Sequence, residues 1–108
     1  MLTMTQVEKL RGRLQGREGG LVKIFSALGD SARLQIFELL TTREEICVSD
    51  IAKLLDTSVP AASHHLKVLE RAGLVRRERK GQMVCYEIRD DDPLVRSVIK
   101  IIRNSSIS

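Results

Sequence analysis

Apolar residues recur along the chain at spacings that change near its C-terminal third, and the change separates a set of helices from a hairpin. Val7, Leu10 and Leu14 stand three and four apart, which predicts an amphipathic helix over about residues 4–16. Gly16, Gly19 and Gly20 weaken it, and a second helical run follows in LVKIFSAL. LGDSAR reads as a helix end followed by a helix start: Gly29 suits a left-handed C-terminal cap and Asp30 an N-cap. Ala32, Ile36, Leu39 and Leu40 form the buried stripe of that next helix. ICV is a short β-like run. Ser49, as cap, and Asp50 then open a helix buried through Ile51, Leu54 and Leu55. After the tight turn DTS, Ser58 caps a helix running to about Ala72, with Pro60 in its first turn, where a missing N–H costs little.

Beyond Gly73 the period falls to two. LVRRERKGQMVCYEI predicts two strands joined by the turn Lys80-Gly81, pairing Arg79 with Gln82, Arg77 with Val84 and Val75 with Tyr86. Val75, Val84, Tyr86 and Ile88 then share the core face, while Met83, Cys85 and Glu87 point to the other. DDDP starts a last helix carrying Leu94, Val95, Val98, Ile99, Ile101 and Ile102, and the tail NSSIS is expected to fray. The apolar residues of that helix occupy more than one face, more than a lone 12.1 kDa subunit can cover. With Val7, Leu10 and Leu14 they predict an isologous two-fold interface.

The expected fold is mainly α with a small β-hairpin wing, in the order α-α-α-(β)-α-α-β-β-α, forming a homodimer through its terminal helices. One domain covers residues 1–108: an N-terminal dimerisation helix within 1–20, a helix-turn-helix over 49–72, the wing over 74–88, a C-terminal dimerisation helix over 92–103 and a tail over 104–108. This is the winged helix-turn-helix order, in which the second helix of the motif lies in the major groove. Ala62, Leu66 and Leu69 form its inward stripe, while His64, Lys67 and Arg71 share an outer face. Ser58 and Ser63 can donate to phosphates, and Arg77, Arg79, Lys80 and Gln82 ride on the wing beside the backbone or minor groove.

Composition sharpens this. The stretch from His64 to Lys80 carries a net charge of +4, equal to that of the whole chain, so the positive excess sits in one place. A solvated helix face beside an ordinary hairpin would carry the same charge; the ordered combination of helix, turn, helix and basic hairpin points to DNA. One Tyr, two Phe and no Trp are too few for the stacking platforms that single-strand and RNA binding use. At 43% hydrophobic and 30% charged residues the chain is an ordinary globular one, with no apolar run able to span a membrane and no secretory signal. Cys47 and Cys85 show no CxxC and no disulfide-rich spacing, which favours the cytoplasm and free thiols.

FSALGDSARLQIFELL, CVSDIAKLL and SVPAASHHLKVLERAGLVRRERKGQMVCYEI resemble the ArsR/SmtB family of bacterial and archaeal winged-helix repressors. The resemblance covers roughly Leu21 to Leu94. The S-x-H-L step at Ser63 to Leu66, AGLV at Ala72 to Val75 and LGD-x-x-R at Leu28 to Arg33 all fall at family spacing, with Ser31 where the family usually has proline. It implies a homodimer that represses an operon from an inverted-repeat operator until a metal ion, metalloid, oxidant or sulfur species binds. It also implies that Ser58, Val59, Ala61, Ser63, His64 and Lys67 occupy DNA-reading positions, and that His65 is a packing residue.

The family's thiol box, E-L-C-V-C-D-L, reads here Glu45-Ile46-Cys47-Val48-Ser49-Asp50-Ile51, so Cys47 keeps the first sulfur and Ser49 replaces the second. Soft-metal sites collect three or four thiolate or imidazole ligands. Where the family's other site joins the last helices through Asp, His and Glu, this chain has Asp90, Asp92, Arg103 and Ser106, and the arginine repels a cation. His64 and His65 are neighbours on a helix, about 100° apart, and do not share an ion. No cofactor is expected to be required, and no metal site is assigned.

Cys85 is the less expected sulfur. In winged helices the short strand before the helix-turn-helix can pair with the second wing strand. Ile46 and Val48 would then face the core, so Cys47 would point to the other face, as Cys85 does. In register, their Cα atoms would lie about 4.5–5.5 Å apart, within disulfide reach. A Cys47–Cys85 dithiol answering to oxidant, a sulfur species or a thiophilic metalloid is one reading; two small packed hydrophobes is the other. The rivals in function are a winged-helix regulator without a sensor, a protein-interaction module on the same fold, and an enzyme with a cysteine nucleophile and a histidine base. The first two stay open. No nucleophile elbow, phosphate loop or metal triad supports the last.

Overall fold

The computed structural model describes residues 1–15, 20–42 and 45–105. Six helices and three strands follow one another as α1 (Met4–Gln15), α2 (Gly20–Leu28), α3 (Ser31–Thr41), β1 (Ile46–Cys47), α4 (Val48–Leu54), α5 (Val59–Arg71), β2 (Val75–Lys80), β3 (Met83–Ile88) and α6 (Pro93–Ser105). The order is that of a winged helix-turn-helix, mainly helical with one small sheet. The expected weakening at Gly16 and Gly19 and the last three tail residues, Ser106 among them, lie outside the described residues.

Local signals set most boundaries. The Asp30 carboxylate accepts from the Arg33 backbone N–H at 3.1 Å and opens α3. Gly29 is not its left-handed partner: among the described residues only Asp56, Gly73 and Gly81 have positive φ. Instead, a Cβ at Gly29 would stand 3.2 Å from the Phe25 carbonyl, a tight contact for any side chain. Left-handed caps close the two helices of the motif. Asp56 (φ 52°) ends α4, with Asp56 N–H to the Lys53 carbonyl and Thr57 N–H to the Ala52 carbonyl. Gly73 (φ 80°) ends α5 with the same pair of bonds, from Gly73 to Glu70 and from Leu74 to Leu69.

Three expectations need correction here. Helix α4 begins at Val48 with Cys47 as N-cap, and Cys47 makes no side-chain capping bond; Ser49 is an exposed residue inside the helix. The inward stripe is therefore Val48, Ile51 and Ala52, with Leu55 partly covered, and Leu54 falls off it and is 60% exposed. Residues Asn104 and Ser105 are helical, the Ser105 hydroxyl donating to the Ile101 carbonyl at 2.9 Å.

The sheet is antiparallel in the order β1-β3-β2. The hairpin register differs from the expected one. Lys80 pairs with Met83, Arg79 with Val84, Arg77 with Tyr86 and Val75 with Ile88, so the turn is Gly81-Gln82. Gly81 has φ 64°, and a two-residue turn of the II′ kind places glycine first. Each partner moves by two positions, which preserves the faces.

Ile36, Phe37 and Leu40 of α3, Ile51 of α4, Ala62, Leu66 and Leu69 of α5, and Tyr86 of β3 form the centre of the core. Val95, Val98, Ile99 and Ile102 close it from α6, while Leu94 and Ile101 lie exposed along its flank. Helix α1 buries no residue: Leu10 and Leu14 are exposed and Val7 is half-buried. No helix among the described residues is long and apolar enough to cross a membrane.

Candidate nucleic-acid interface

Helix α5 is anchored before it presents anything. The Ser58 hydroxyl accepts from the Ala61 N–H at 3.2 Å, and Pro60 occupies the first turn. Ala62, Leu66 and Leu69 are wholly buried, which turns His64, Lys67 and Arg71 outward into solvent. Val59 is also exposed, and Ala61 and Ser63 are partly covered. His65 lies on the inner flank, where its Nδ1 is 3.3 Å from an Arg33 Nη1. A guanidinium only donates, so Nδ1 is the acceptor. The same Arg33 donates from Nε to the Ala27 carbonyl at 2.7 Å. It thereby ties the end of α2 to α5 and fixes the recognition helix against the body. Asp30 lies beside it; accepting the Arg33 backbone N–H holds the Asp30 carboxyl below its ordinary range. The packing role expected of His65 is thus visible, but its partner was not: Arg33 and His65 are 32 positions apart.

Between α5 and the wing runs a cleft of about 370 Å³. Val59, Ser63 and Lys67 line it from the helix, Arg77 and Gln82 from the wing, and Cys47 from the end of β1. Among the described residues, two cations and no carboxylate border it. Five of the expected DNA-reading residues are therefore brought together there, with Ser58, Ala61, His64 and Arg71 along the rest of α5. Arg79 shares the strand parity of Arg77, and its Nε donates to the Gly81 carbonyl at 3.2 Å.

Lys80 stands apart from them. It lies on the opposite face of the sheet with Arg76, where its Nζ is 2.8 Å from Glu45. That contact holds the Lys80 ammonium above its ordinary pKa. Arg76 on the same face meets Asp91 at 2.7 Å and Glu87 at 3.4 Å. A larger cavity, about 750 Å³, opens on that side, between the wing, the end of α3 and α6, away from the reading residues.

The two cysteines share this face. Cys47 and Cys85 are directly opposed in register, their Cα atoms 3.7 Å apart, and their sulfurs form a disulfide. The distance is shorter than the expected range. Cys85 points to the face opposite Tyr86, as parity requires, yet it is only 1% exposed. Its partner sulfur and the neighbouring strands enclose it, so the wing buries residues on both faces at this point.

A paired, exposed basic helix and an arginine-bearing wing on a three-strand sheet define a winged helix-turn-helix domain of the DNA-reading kind. The profile described as "Bacterial regulatory protein, arsR family" matches residues 30–77, the span from the α3 cap to the first wing strand. The chain belongs to that family. It is 39% identical over 80 residues to an uncharacterized HTH-type transcriptional regulator of Methanocaldococcus jannaschii, covering 74% of this chain and 88% of that one. It is 35% identical over 71 residues to a cadmium resistance transcriptional regulatory protein CadC homolog of Staphylococcus aureus, covering 66% of this chain. The match spans 59% of that relative's length. In three dimensions it is similar to the homodimeric winged helix-turn-helix DNA-binding domain Mb0332 of Mycobacterium bovis, a possible ArsR-family regulator. The TM-score is 0.70 at 26% identity, over 87% of this chain and 82% of that one.

The metal that a cadmium-resistance relative brings to mind does not fit the residues present. Both sulfurs are engaged with each other, and no group of three or more His, Cys, Asp or Glu side chains able to hold an ion occurs among the described residues.

Proposed function

We propose that the protein is a sequence-specific repressor that binds an inverted-repeat operator in double-stranded DNA as a homodimer, in the cytoplasm, and is released when Cys47 and Cys85 join. The observation that carries the DNA reading is the cleft between α5 and the wing, bordered by Lys67 and Arg77 with no carboxylate among the described residues. Phosphates supply the missing negative charge, and each neutralised phosphate releases a counterion. His64, outward at the centre of α5, is the base reader; Ser58, Ser63 and Gln82 donate to the backbone, and Arg71, Arg77 and Arg79 add charge. Val59 and Ala61 make apolar contacts at the start of the helix. Exposed Leu10 and Leu14 of α1 and Leu94 and Ile101 of α6 supply the two-fold contact.

The paired sulfurs favour a redox signal over a metalloid, which would need the dithiol. Closing the bond takes two protons and two electrons from two thiols, and a peroxide or an oxidised sulfur species accepts them. The bond ties the edge strand β1, which runs directly into α4, to the central wing strand. It thereby sets the wing against the helix-turn-helix. Fluorescence anisotropy on a duplex selected from a random library tests both parts. Tight binding of the dithiol form and at least about tenfold weaker binding of the disulfide form is the expected result. Equal affinity of the two forms removes the redox signal, and lack of any selected sequence removes the repressor.

A further inference from the structure

The two sulfurs are chemically equivalent in the bond but not in their surroundings. Cys47 is half-buried on β1, and no strand lies beyond β1 among the described residues. Cys85 is 1% exposed on the central strand. A thiolate opens a disulfide by approaching one sulfur from the side opposite the bond, and the other sulfur leaves. Approach behind Cys85 comes from β2, where its register partner on the same face is Glu78, a carboxylate that repels an anion. Approach behind Cys47 comes from the open edge of the sheet. The Cys47 side chain lies on the face of the sheet away from α5, as the bond to Cys85 requires.

We infer that Cys47 is a site of S-thiolation, taking a low-molecular-weight thiol. This deepens the redox reading of the same two sulfurs. The incoming thiolate forms a bond to the Cys47 Sγ as the Cys47–Cys85 bond breaks. The electron pair of the broken bond leaves with the Cys85 sulfur, which then takes a proton from water. No external oxidant or reductant enters. The product holds the small thiol as a mixed disulfide at the open edge of the sheet, with Cys85 a buried thiol. A second thiol attacking the small-molecule sulfur of the adduct restores the dithiol.

Limiting reduced glutathione added to the disulfide form, quenched in acid, alkylated after denaturation and digested, locates the adduct by mass spectrometry. Glutathione on Cys47 with alkylated Cys85 is expected; glutathione on Cys85, or an even split, overturns the assignment. Single-thiol variants provide a check that does not need the disulfide. With oxidised glutathione, the C85S protein should be modified at least about tenfold faster than the C47S protein, and equal rates overturn the accessibility argument. None of these readouts involves DNA. Equal operator affinity of the two redox forms would therefore sink the signal proposed above while leaving this site standing.

Discussion

The two faces of the wing are built from one run of sequence and do opposite things. On the face toward α5, Arg77 and Arg79 have no carboxylate partner among the described residues, and they continue the charge of Lys67. On the other face Arg76 and Lys80 are each held by acids, and beneath them lies the disulfide. RRERK looks in the sequence like a single basic patch. Strand parity splits it into a half free to meet phosphate and a half spent on internal contacts. Net charge over a strand is thus a poor guide to an interface unless it is counted one face at a time.

The largest test of this division removes the cross-link on the neutralised face. Cys47 and Cys85 are 38 positions apart, and closing a loop of that size stabilises by about 4 kcal/mol in the chain-entropy description. Urea unfolding of the Cys47→Ser/Cys85→Ser variant beside the disulfide form should show a loss of that order. A midpoint matching the disulfide form would mean that β1 is held by other contacts. Next in size is a comparison of paired substitutions. Arg77→Ala/Arg79→Ala should lower the salt slope of DNA binding by about two, whereas Arg76→Ala/Lys80→Ala should leave it unchanged. Equal slopes for the two pairs would erase the distinction between the faces.

A smaller effect is expected at His64. Its replacement by Ala should relax base preference at one position of each half-site by about 1 kcal/mol, read by competition among operator variants, with the salt slope held. The smallest concerns pH. Glu45 raises the pKa of Lys80, so the contribution of this pair is complete below the unfolded lysine value and fades as pH rises through the folded one. The melting temperature of Lys80→Met should therefore lie below that of the parent at neutral pH and converge with it in strong alkali. Divergence on going alkaline would contradict the ion pair.

Much of this molecule was legible from periodicity. Ala62, Leu66 and Leu69 announce the buried side of α5, and with it the outward side that carries His64, Lys67 and Arg71. Asp30 and Ser58 announce two helix starts. The hairpin register was missed by two positions because charge and alternation are indifferent to such a slip, while the positive φ of Gly81 is not. The faces survived the error, which is why Cys47 opposite Cys85 was readable. What parity does not disclose is what covers a face. The burial of Cys85, the Lys80–Glu45 pair and the Arg33–His65 contact depend on residues brought together from distant parts of the chain.

Helix α1 carries one more consequence. Twelve residues with no buried side chain are too few to hold a helix alone in water, where nucleation is costly and each turn gains little. If the proposed two-fold contact is what supports it, the order of this segment belongs to the pair of subunits and not to either one. Dilution would then melt α1 as it separates the subunits, and the helical content of the protein would follow its abundance by mass action. The reading heads would come apart at the same moment, so scarcity alone would free the operator without any chemical signal.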